Sequence, residues 1–157
     1  MPTVYLLLGA QGSGKTLWAR ANAGRLSASL LASDEVRNEL ERSGAGDPNN
    51  GDQVFQIVEA ELDRRLAEGQ NVVVDATHAR TPWRQNEIDI ARRHGARLIG
   101  VWFDTPLELC LARNAARPGG GWGDRVAPAE LVQWVWEGFE PPGPGEFDEV
   151  WKMGGSS

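Results

Sequence analysis

The sequence has a single cysteine, Cys110, among 157 residues. One cysteine forms no intramolecular disulfide and cannot build a four-cysteine zinc site, so a disulfide-stapled secreted domain is excluded. Long apolar runs are also missing, because the N-terminal run Val4 to Leu8 is far too short for a signal-peptide core or a membrane span. These absences predict a protein of the reducing cytoplasm without a membrane segment.

Positive charge is scarce as well. The chain has 16 Lys and Arg against 22 Asp and Glu, for a net charge of −6, which excludes a nucleic-acid-binding polycation. The charge is uneven, however: residues 1–33 and 76–100 each sum to +3, whereas residues 34–75 sum to −7. The composition therefore leaves room for a basic cleft inside an acidic shell.

Short apolar runs alternate with amphipathic segments along the whole chain. The run Asn71–Ala76 (NVVVDA) is typical of a buried parallel strand. The alternation predicts one α/β domain over residues 1–157, a parallel sheet with helices on both faces, and a ligand at the carboxyl ends of the strands. The predicted strands are residues 3–8, 29–33, 71–76, 96–103 and 147–152, and the predicted helices are residues 15–23, 34–42, 54–67, 81–94, 106–116 and 129–138.

Residues 9–16 read GAQGSGKT and match the phosphate-loop pattern G-x-x-x-x-G-K-[ST]. They follow a predicted strand and open a predicted helix, where backbone N–H groups and the helix N-terminus surround an anion. Lys15 would reach the β- and γ-phosphates, and Thr16 would offer its hydroxyl to Mg²⁺. The motif predicts a nucleoside triphosphate, ATP, as cofactor. The predicted cofactor-binding residues in this loop are Gly9, Gly12, Ser13, Gly14, Lys15 and Thr16.

A carboxylate, Asp34, follows the second predicted strand. In a doubly wound sheet we expect this segment beside the phosphate loop, where Asp34 would accept the proton of an attacking hydroxyl. Arg37 lies one helical turn later, and its guanidinium suits a substrate phosphate. Two other interpretations stay open: Ser33 or Asp34 would cap the helix, and Arg37 would be a solvated surface residue.

Asp75 ends the apolar third strand, as in a Walker-B strand that orders Mg²⁺ or its waters. It could instead pair with Arg37, and both roles stay open. No second acid follows directly, which disfavours a hydrolysis-driven motor and favours a small transferase. Thr77 and His78 come next at the same edge of the sheet. We predict Thr77 on the substrate side, whereas a lone histidine is more often structural.

Arg113 and Arg117 are spaced i, i+4 at the end of a predicted helix and precede a glycine-rich stretch. This pattern predicts an arginine-bearing lid over about residues 113–127, in which both arginines meet the ATP phosphates and Arg117 stabilises the charge of transfer. Trp122 in the lid could stack on a base. Arg80 and Arg84 lie i, i+4 near the start of the helix after Thr77 and His78 and could touch a phosphate chain, although a solvated basic helix face explains each of them better.

With these pieces placed, the sequence resembles the polynucleotide 5′-hydroxyl kinase family of phage and bacterial end-healing enzymes. The resemblance implies a P-loop kinase fold and transfer of the ATP γ-phosphate to a 5′-OH end of DNA or RNA. It implies that Asp34 is the general base, that Arg37 contacts substrate phosphate and that the lid arginines hold the ATP phosphates. The family often shows asparagine where His78 stands. The resemblance is carried by residues 9–16, Asp34-x-x-Arg37, Asp75-Ala-Thr, Arg113-Asn-x-x-Arg117, Phe139-Glu-Pro-Pro142 and Phe147-Asp-Glu-Val150.

Two other functions remain open on the residues alone. The first is a small-molecule or zeta-toxin-like P-loop kinase acting on a nucleoside, a sugar or an antibiotic, which the overall acidity favours. The second is a nucleotide-binding interaction module without transfer activity, against which the predicted base and lid count. The chain carries no phosphatase or ligase domain, and no obligate protein partner is indicated.

Overall fold

The computed structural model describes residues 1–154, so the last three residues of the predicted domain 1–157 lie outside the described part. The described residues build a five-stranded sheet with the spatial order β2-β3-β1-β4-β5, and every pairing is parallel. The strands are β1 (Thr3–Leu8), β2 (Ala28–Ala32), β3 (Asn71–Asp75), β4 (Arg97–Asp104) and β5 (Glu149–Gly154).

Helices cover both faces of this sheet. Alternate residues of β1 therefore lie in two different hydrophobic cores. Leu6 packs with Val58 and Ile88 on one face, whereas Leu7 packs with Ala19 on the other. The predicted α/β fold with a parallel sheet is thereby confirmed. The helices are α1 (Lys15–Asn22), α2 (Ser33–Ser43), α3 (Gly51–Ala67), α4 (Thr81–Arg93), α5 (Leu107–Ala115) and α6 (Ala129–Glu137), and Trp122–Asp124 form a 3₁₀ turn.

All observed boundaries but one lie within two residues of the predicted ones, and the one larger difference comes from a helix cap. Helix α3 begins three residues early, at Gly51, because the Asn50 side chain accepts a hydrogen bond from Gln53 N at 3.1 Å and caps it. Helix α2 begins at Ser33 with Ala32 as its N-cap and without a side-chain cap. The prediction that Ser33 or Asp34 caps this helix is therefore wrong. Among the described helices, none has the length and apolarity that a membrane crossing requires.

The strand order corrects one expectation about the site. Strand β2 does not lie beside β1, because β3 pairs with both of them. The segment after β2 is consequently separated from the phosphate loop by the end of β3. Asp75 therefore stands between Asp34 and the phosphate loop along the carboxyl edge.

Arg84 on α4 is fully buried, with 0% of its surface exposed. Its guanidinium makes five hydrogen bonds of 2.7 to 3.3 Å, to the Glu146 carboxylate and to the carbonyl oxygens of His78, Glu140 and Pro141. These bonds occupy every N–H that an arginine can donate. The side chain thus joins α4, the segment after β3 and the turn before β5, which corrects the expectation that Arg84 belongs to a solvated face or meets a phosphate chain.

Replacing Arg84 should destabilise the fold more than any surface charge does. We expect Arg84→Ala to lower the free energy of unfolding by about 3–5 kcal/mol, because Glu146 and three carbonyl groups lose their partner. Urea denaturation measures the loss. The matched control is Arg92→Ala on the same helix, where an exposed pair with Asp148 should be worth under about 1 kcal/mol. Equal effects of the two variants would contradict the assignment.

Candidate active site

The phosphate loop connects β1 to α1 and is fastened to both neighbouring strand ends. Gly9 N donates to the carbonyl oxygen of Thr77 at 2.9 Å, just after β3. On the other side, the Thr105 hydroxyl donates to the carbonyl oxygen of Ser13 at 2.9 Å, just after β4. The loop is therefore held in shape by the sheet itself.

Two glycines of the loop are required by its backbone. Gly12 has φ +79°, and a Cβ there would lie 2.2 Å from the Cys110 carbonyl oxygen of α5. Gly14 has φ +105° at the start of α1. Both conformations are disfavoured for residues with a side chain. The tight turn leaves the N-terminus of α1 directed at the space where phosphates would bind.

Lys15 is buried inside this turn, with its Nζ donating to the Ala10 carbonyl oxygen at 3.0 Å. Burial lowers the pKa of the Lys15 ammonium, and the nearby Asp75 carboxylate opposes that shift. An ammonium held with so little water is poised to attract further negative charge. This placement fits the predicted contact with the β- and γ-phosphates.

The Thr16 hydroxyl donates to Asp75 Oδ2 at 2.7 Å, so the two predicted metal-site residues lie together. A hydroxyl and a carboxylate suit Mg²⁺, which keeps several waters and takes few protein ligands. Within residues 1–154, no group of three or more His, Cys, Asp or Glu could hold a metal alone. A Mg²⁺ ion would therefore complete its coordination with nucleotide phosphates and water.

Asp34 lies in the first turn of α2 and lines a cavity of about 370 Å³ together with Lys15, Thr16, Asp75 and Thr77. Burial, followed by the charge of Asp75, raises the pKa of the Asp34 carboxyl, against the opposing effect of Lys15. A carboxylate with a raised pKa is a stronger proton acceptor. The predicted base is thus brought to the phosphate loop even though β3 intervenes.

Arg37 is half-buried and lines the same cavity as Asp34. Its Nη1 donates to the Pro48 carbonyl oxygen at 2.6 Å, so the interpretation as a solvated surface residue is wrong. Burial lowers the pKa of the guanidinium, which Asp34 counteracts. The alternative pairing of Asp75 with Arg37 is also not what forms, because Asp75 bonds Thr16 instead.

The two lid arginines approach the loop from the end of α5. Arg113 is exposed, with its Nη1 3.5 Å from the Ser13 carbonyl oxygen. Arg117 is half-buried and donates to the Arg125 carbonyl oxygen at 3.2 Å across the lid. It lines both the Asp34 cavity and a second cavity of about 720 Å³ over the outer side of the phosphate loop.

Trp122 fastens the lid to α2. Its backbone N–H donates to Asn38 Oδ1 at 2.8 Å, and its indole N–H donates to Glu41 Oε2 at 3.1 Å. The guanidinium groups of Arg125 and Arg37 lie 3.9 and 5.1 Å from its ring centre. The ring thus stacks with arginines and the lid rests on the helix that carries Asp34, while stacking of Trp122 on a base stays a prediction.

Arg80 is directed away from the predicted substrate site. Its guanidinium lies over Trp134 at 4.5 Å and over Trp83 at 5.3 Å. It also packs so closely on α6 that a Cβ at Gly138 would overlap it. Cation–π stacking between two helices explains this position, so we leave Arg80 out of the substrate-binding residues.

His78 has a structural environment, with 2% of its surface exposed and φ +43°. Its Nδ1 lies 2.6 Å from the Leu7 carbonyl oxygen and its Nε2 lies 2.9 Å from Glu87 Oε2. Burial, the largest single effect, lowers the pKa of His78, but the charge and hydrogen bond of Glu87, together with the Leu7 carbonyl oxygen and the charge of Asp75, raise it by more. Both ring nitrogens face oxygen acceptors, so the side chain joins β1 to α4.

Several residues at the two cavities escaped the sequence reasoning. Trp18, Phe103 and Met153 line the outer cavity, and Gln11, Phe55 and Leu131 line the Asp34 cavity. Gln11 is a variable position of the phosphate-loop pattern, and the apolar residues read as ordinary core positions. One feature of the sequence pointed to this region: α3 has a polar face beside its apolar face. The apolar periodicity of α3 was interpreted as core packing alone, so the polar face was not assigned to a site.

Residues 4–142 match the model of the AAA_33 family, described as an AAA domain. The comparison with curated proteins found no match.

Solved structures share the fold. A gluconokinase from Sinorhizobium meliloti 1021 superposes with a TM-score of 0.67 at 23% identity, over 99% of this chain and 85% of the other. A chain of the Pnkp1/Rnl/Hen1 RNA repair complex gives 0.71 at 24% identity, over 87% and 43%. A chain of the AvrRxo1-ORF1:-ORF2 complex with ATP gives 0.66 at 21%, over 88% and 47%. At these identities the likeness establishes the fold.

The coupling between the two carboxylates can be tested directly. Because the charge of Asp75 raises the pKa of Asp34, Asp75→Asn should lower the Asp34 pKa toward the ordinary aspartate value. A pH titration of the carboxyl ¹³C resonances of the metal-free protein measures this shift. Asp104→Asn, at the same sheet edge on β4, should leave the Asp34 pKa unchanged. An Asp34 pKa that is equal in the wild type and in Asp75→Asn would refute the coupling.

Proposed function

We propose that this chain, which belongs to the AAA domain family AAA_33, is an ATP-dependent phosphotransferase whose acceptor is a hydroxyl group. One observation carries the proposal: the outer cavity and the Asp34 cavity meet at Lys15, Thr16 and Arg117. A nucleotide in the outer cavity would place its γ-phosphate at this junction, with the acceptor on the Asp34 side. The ATP-bound neighbour of the same fold supports the choice of donor.

On the donor side, the loop N–H groups and Lys15 would hold the β- and γ-phosphates. Thr16 and Asp75 would hold Mg²⁺, which neutralises developing phosphate charge when bound. Arg113 and Arg117 would approach the same phosphates from the lid. A lid arginine of this kind can contribute about 10³–10⁵ to the rate of phosphoryl transfer.

On the acceptor side, Asp34 would act as the general base. Its carboxylate would take the hydroxyl proton while the hydroxyl oxygen bonds to the γ-phosphorus. The bond from the γ-phosphorus to the β–γ bridging oxygen would break, and ADP would leave with that oxygen. The absence of a second acid directly after Asp75 accords with transfer to an alcohol rather than to water.

Two acceptor classes have separate support. A 5′-OH end of DNA or RNA is favoured by the motif resemblance, by Arg37 beside Asp34, and by the fold shared with the Pnkp1/Rnl/Hen1 RNA repair complex. A small hydroxylated molecule is favoured by the shared fold of the gluconokinase and by a further cavity next to Asp34.

A cytoplasmic location, expected from the single cysteine, belongs to the same proposal.

Asp34→Asn separates chemistry from nucleotide binding. We expect phosphoryl transfer to fall by about 10²–10⁴-fold, while the Kd for ATP stays unchanged because Asp34 faces the acceptor. The variant should also have a higher Tm at neutral pH. Burial makes the folded state prefer protonated Asp34, so ionisation opposes folding once the pH exceeds the ordinary aspartate pKa, and asparagine removes that charge.

The measurements are label transfer from γ-labelled ATP, calorimetric ATP binding and thermal unfolding. Glu35→Gln is the control, since Glu35 is the exposed neighbour of Asp34 and should leave all three quantities unchanged. Full transfer activity in Asp34→Asn would remove Asp34 from the mechanism.

A further inference from the structure

A third cavity, of about 770 Å³, lies between α3, α4 and α6. It is continuous with the Asp34 cavity, because the two share five lining residues, and its size is typical of small-molecule sites. No residue of the phosphate loop other than Gln11 lines it, so it belongs to the acceptor side. The shared residues are Gln11, Arg37, Phe55, Thr77 and Leu131.

One wall of this cavity consists of hydrogen-bonding side chains. Asp52, Gln56 and Glu59 occupy one face of α3 at i, i+4 and i+7, and Asn86 and Glu87 lie on α4 across from them. Carboxylate and amide oxygens at this density accept hydrogen bonds from hydroxyl or ammonium groups.

Two buried oxygens in this region lack a partner among residues 1–154. Glu87 is 1% exposed, and its Oε1 has no hydrogen bond, although Oε2 faces His78. Gln11 Oε1 is also buried without a partner. Buried polar atoms are rarely left unpaired. Donor groups of a ligand would satisfy both atoms.

The opposite wall is aromatic. Trp83 and Trp134 line the cavity with ring centres 6.0 Å apart, and Phe55 lies where the two cavities join. The tryptophans keep 43% and 53% of their surfaces exposed even with the Arg80 guanidinium stacked on them, although such side chains usually bury themselves. Exposed aromatic faces beside polar side chains suit the C–H face of a sugar-like ring.

The charges of this cavity do not suit a phosphate backbone. Among the described residues, Arg37 is the only arginine or lysine that lines it, and it already bonds Pro48 and stacks on Trp122. Arg80 does not line the cavity, and its guanidinium is already stacked on Trp83 and Trp134. Asp52 and Glu59 are the lining carboxylates without a cationic partner among the described residues, since Glu87 is paired with His78; Glu59 is hydrogen-bonded to Asn86 of the facing helix. A polynucleotide would need cations along its path to replace the counterions that it loses.

We infer that the acceptor is a polyhydroxylated small molecule, uncharged or amine-bearing, such as a sugar or an amino sugar. This inference rests on the proposed function and names its substrate. The ring lies against Trp83 and Trp134, its other hydroxyl or amine groups donate to Glu59, Glu87 and Gln11, and one hydroxyl reaches Asp34. The products are a phosphate monoester and ADP, with the hydroxyl proton transferred first to Asp34.

An acceptor panel tests the inference with the full chain, Mg²⁺ and γ-labelled ATP. The panel contains glucose, glucosamine, myo-inositol and kanamycin, and short 5′-OH DNA and RNA oligonucleotides. We expect label on at least one polyol and none on the oligonucleotides. For a neutral polyol, kcat/KM should change little between low and high salt, whereas a polynucleotide acceptor would lose affinity steeply.

Variants of the polar wall give effects of opposite sign for the two acceptor classes. Glu59→Gln should lower kcat/KM for the accepted polyol about tenfold through KM, because a charged hydrogen-bond acceptor is lost. Glu59→Lys should lower it further, whereas it would raise activity on an oligonucleotide. Trp134→Ala should also raise KM for the polyol. The control Glu68→Gln, just beyond the other end of α3, should have no effect.

Each outcome has a defined meaning. Asp34-dependent transfer to oligonucleotides alone would overturn this inference and leave the proposed function standing. Transfer to no acceptor by protein that binds ATP would overturn the proposed function itself. Transfer to a polyol that is unaffected by Glu59→Gln, Glu59→Lys and Trp134→Ala would support the proposed function and overturn the placement of the acceptor in this cavity.

Discussion

The whole candidate site depends on the parallel pairing of β3 with both β1 and β2. The register sets Val4 opposite Val72 and Ala32 opposite Asp75, so three strands end at one edge. Because the side chain of Asp75 then lies between α1 and α2, it bonds Thr16 at 2.7 Å, and its charge adds to the effect of burial in raising the pKa of Asp34. Backbone pairing in the sheet thus fixes the distances on which any chemistry here relies, because Lys15 and Thr16 begin α1, Asp34 lies in the first turn of α2 and Asp75 ends β3.

Charge is arranged at this edge before any ligand arrives. A buried ammonium and two carboxylates share one cavity, and burial disfavours the charged form of both Lys15 and Asp34. Preorganised charge of this kind costs stability and suits a site that receives phosphates and a metal ion. The fully bonded Arg84 and the His78–Glu87 pair hold the neighbouring segments. They thereby support the rigidity that preorganisation needs.

Local sequence patterns predicted the helices, the strands and the phosphate loop. The strand order and the contacts between distant residues depend on long-range packing and were not predicted. Periodicity and the glycine-rich motif identified the strands and the phosphate loop, because those signals lie within a few adjacent residues. The position of β3 between β1 and β2 has no local signal. The contacts of Arg80 with Trp134 on α6 and of Trp122 with Arg37 on α2 were not predicted, because these partners lie far away in the chain. The third cavity joins side chains of three helices, and each helix alone showed only an ordinary polar surface.

The central claim is that Lys15, Arg117 and Asp34 converge on one phosphoryl group. The most direct measurement is a crystal structure with Mg²⁺, ADP, aluminium fluoride and an acceptor. The account predicts the fluoride group between Lys15 and Arg117, and the attacking oxygen within about 3.2 Å of the Asp34 carboxylate. An attacking oxygen in contact with a different base, with Asp34 directed away from it, would contradict the account.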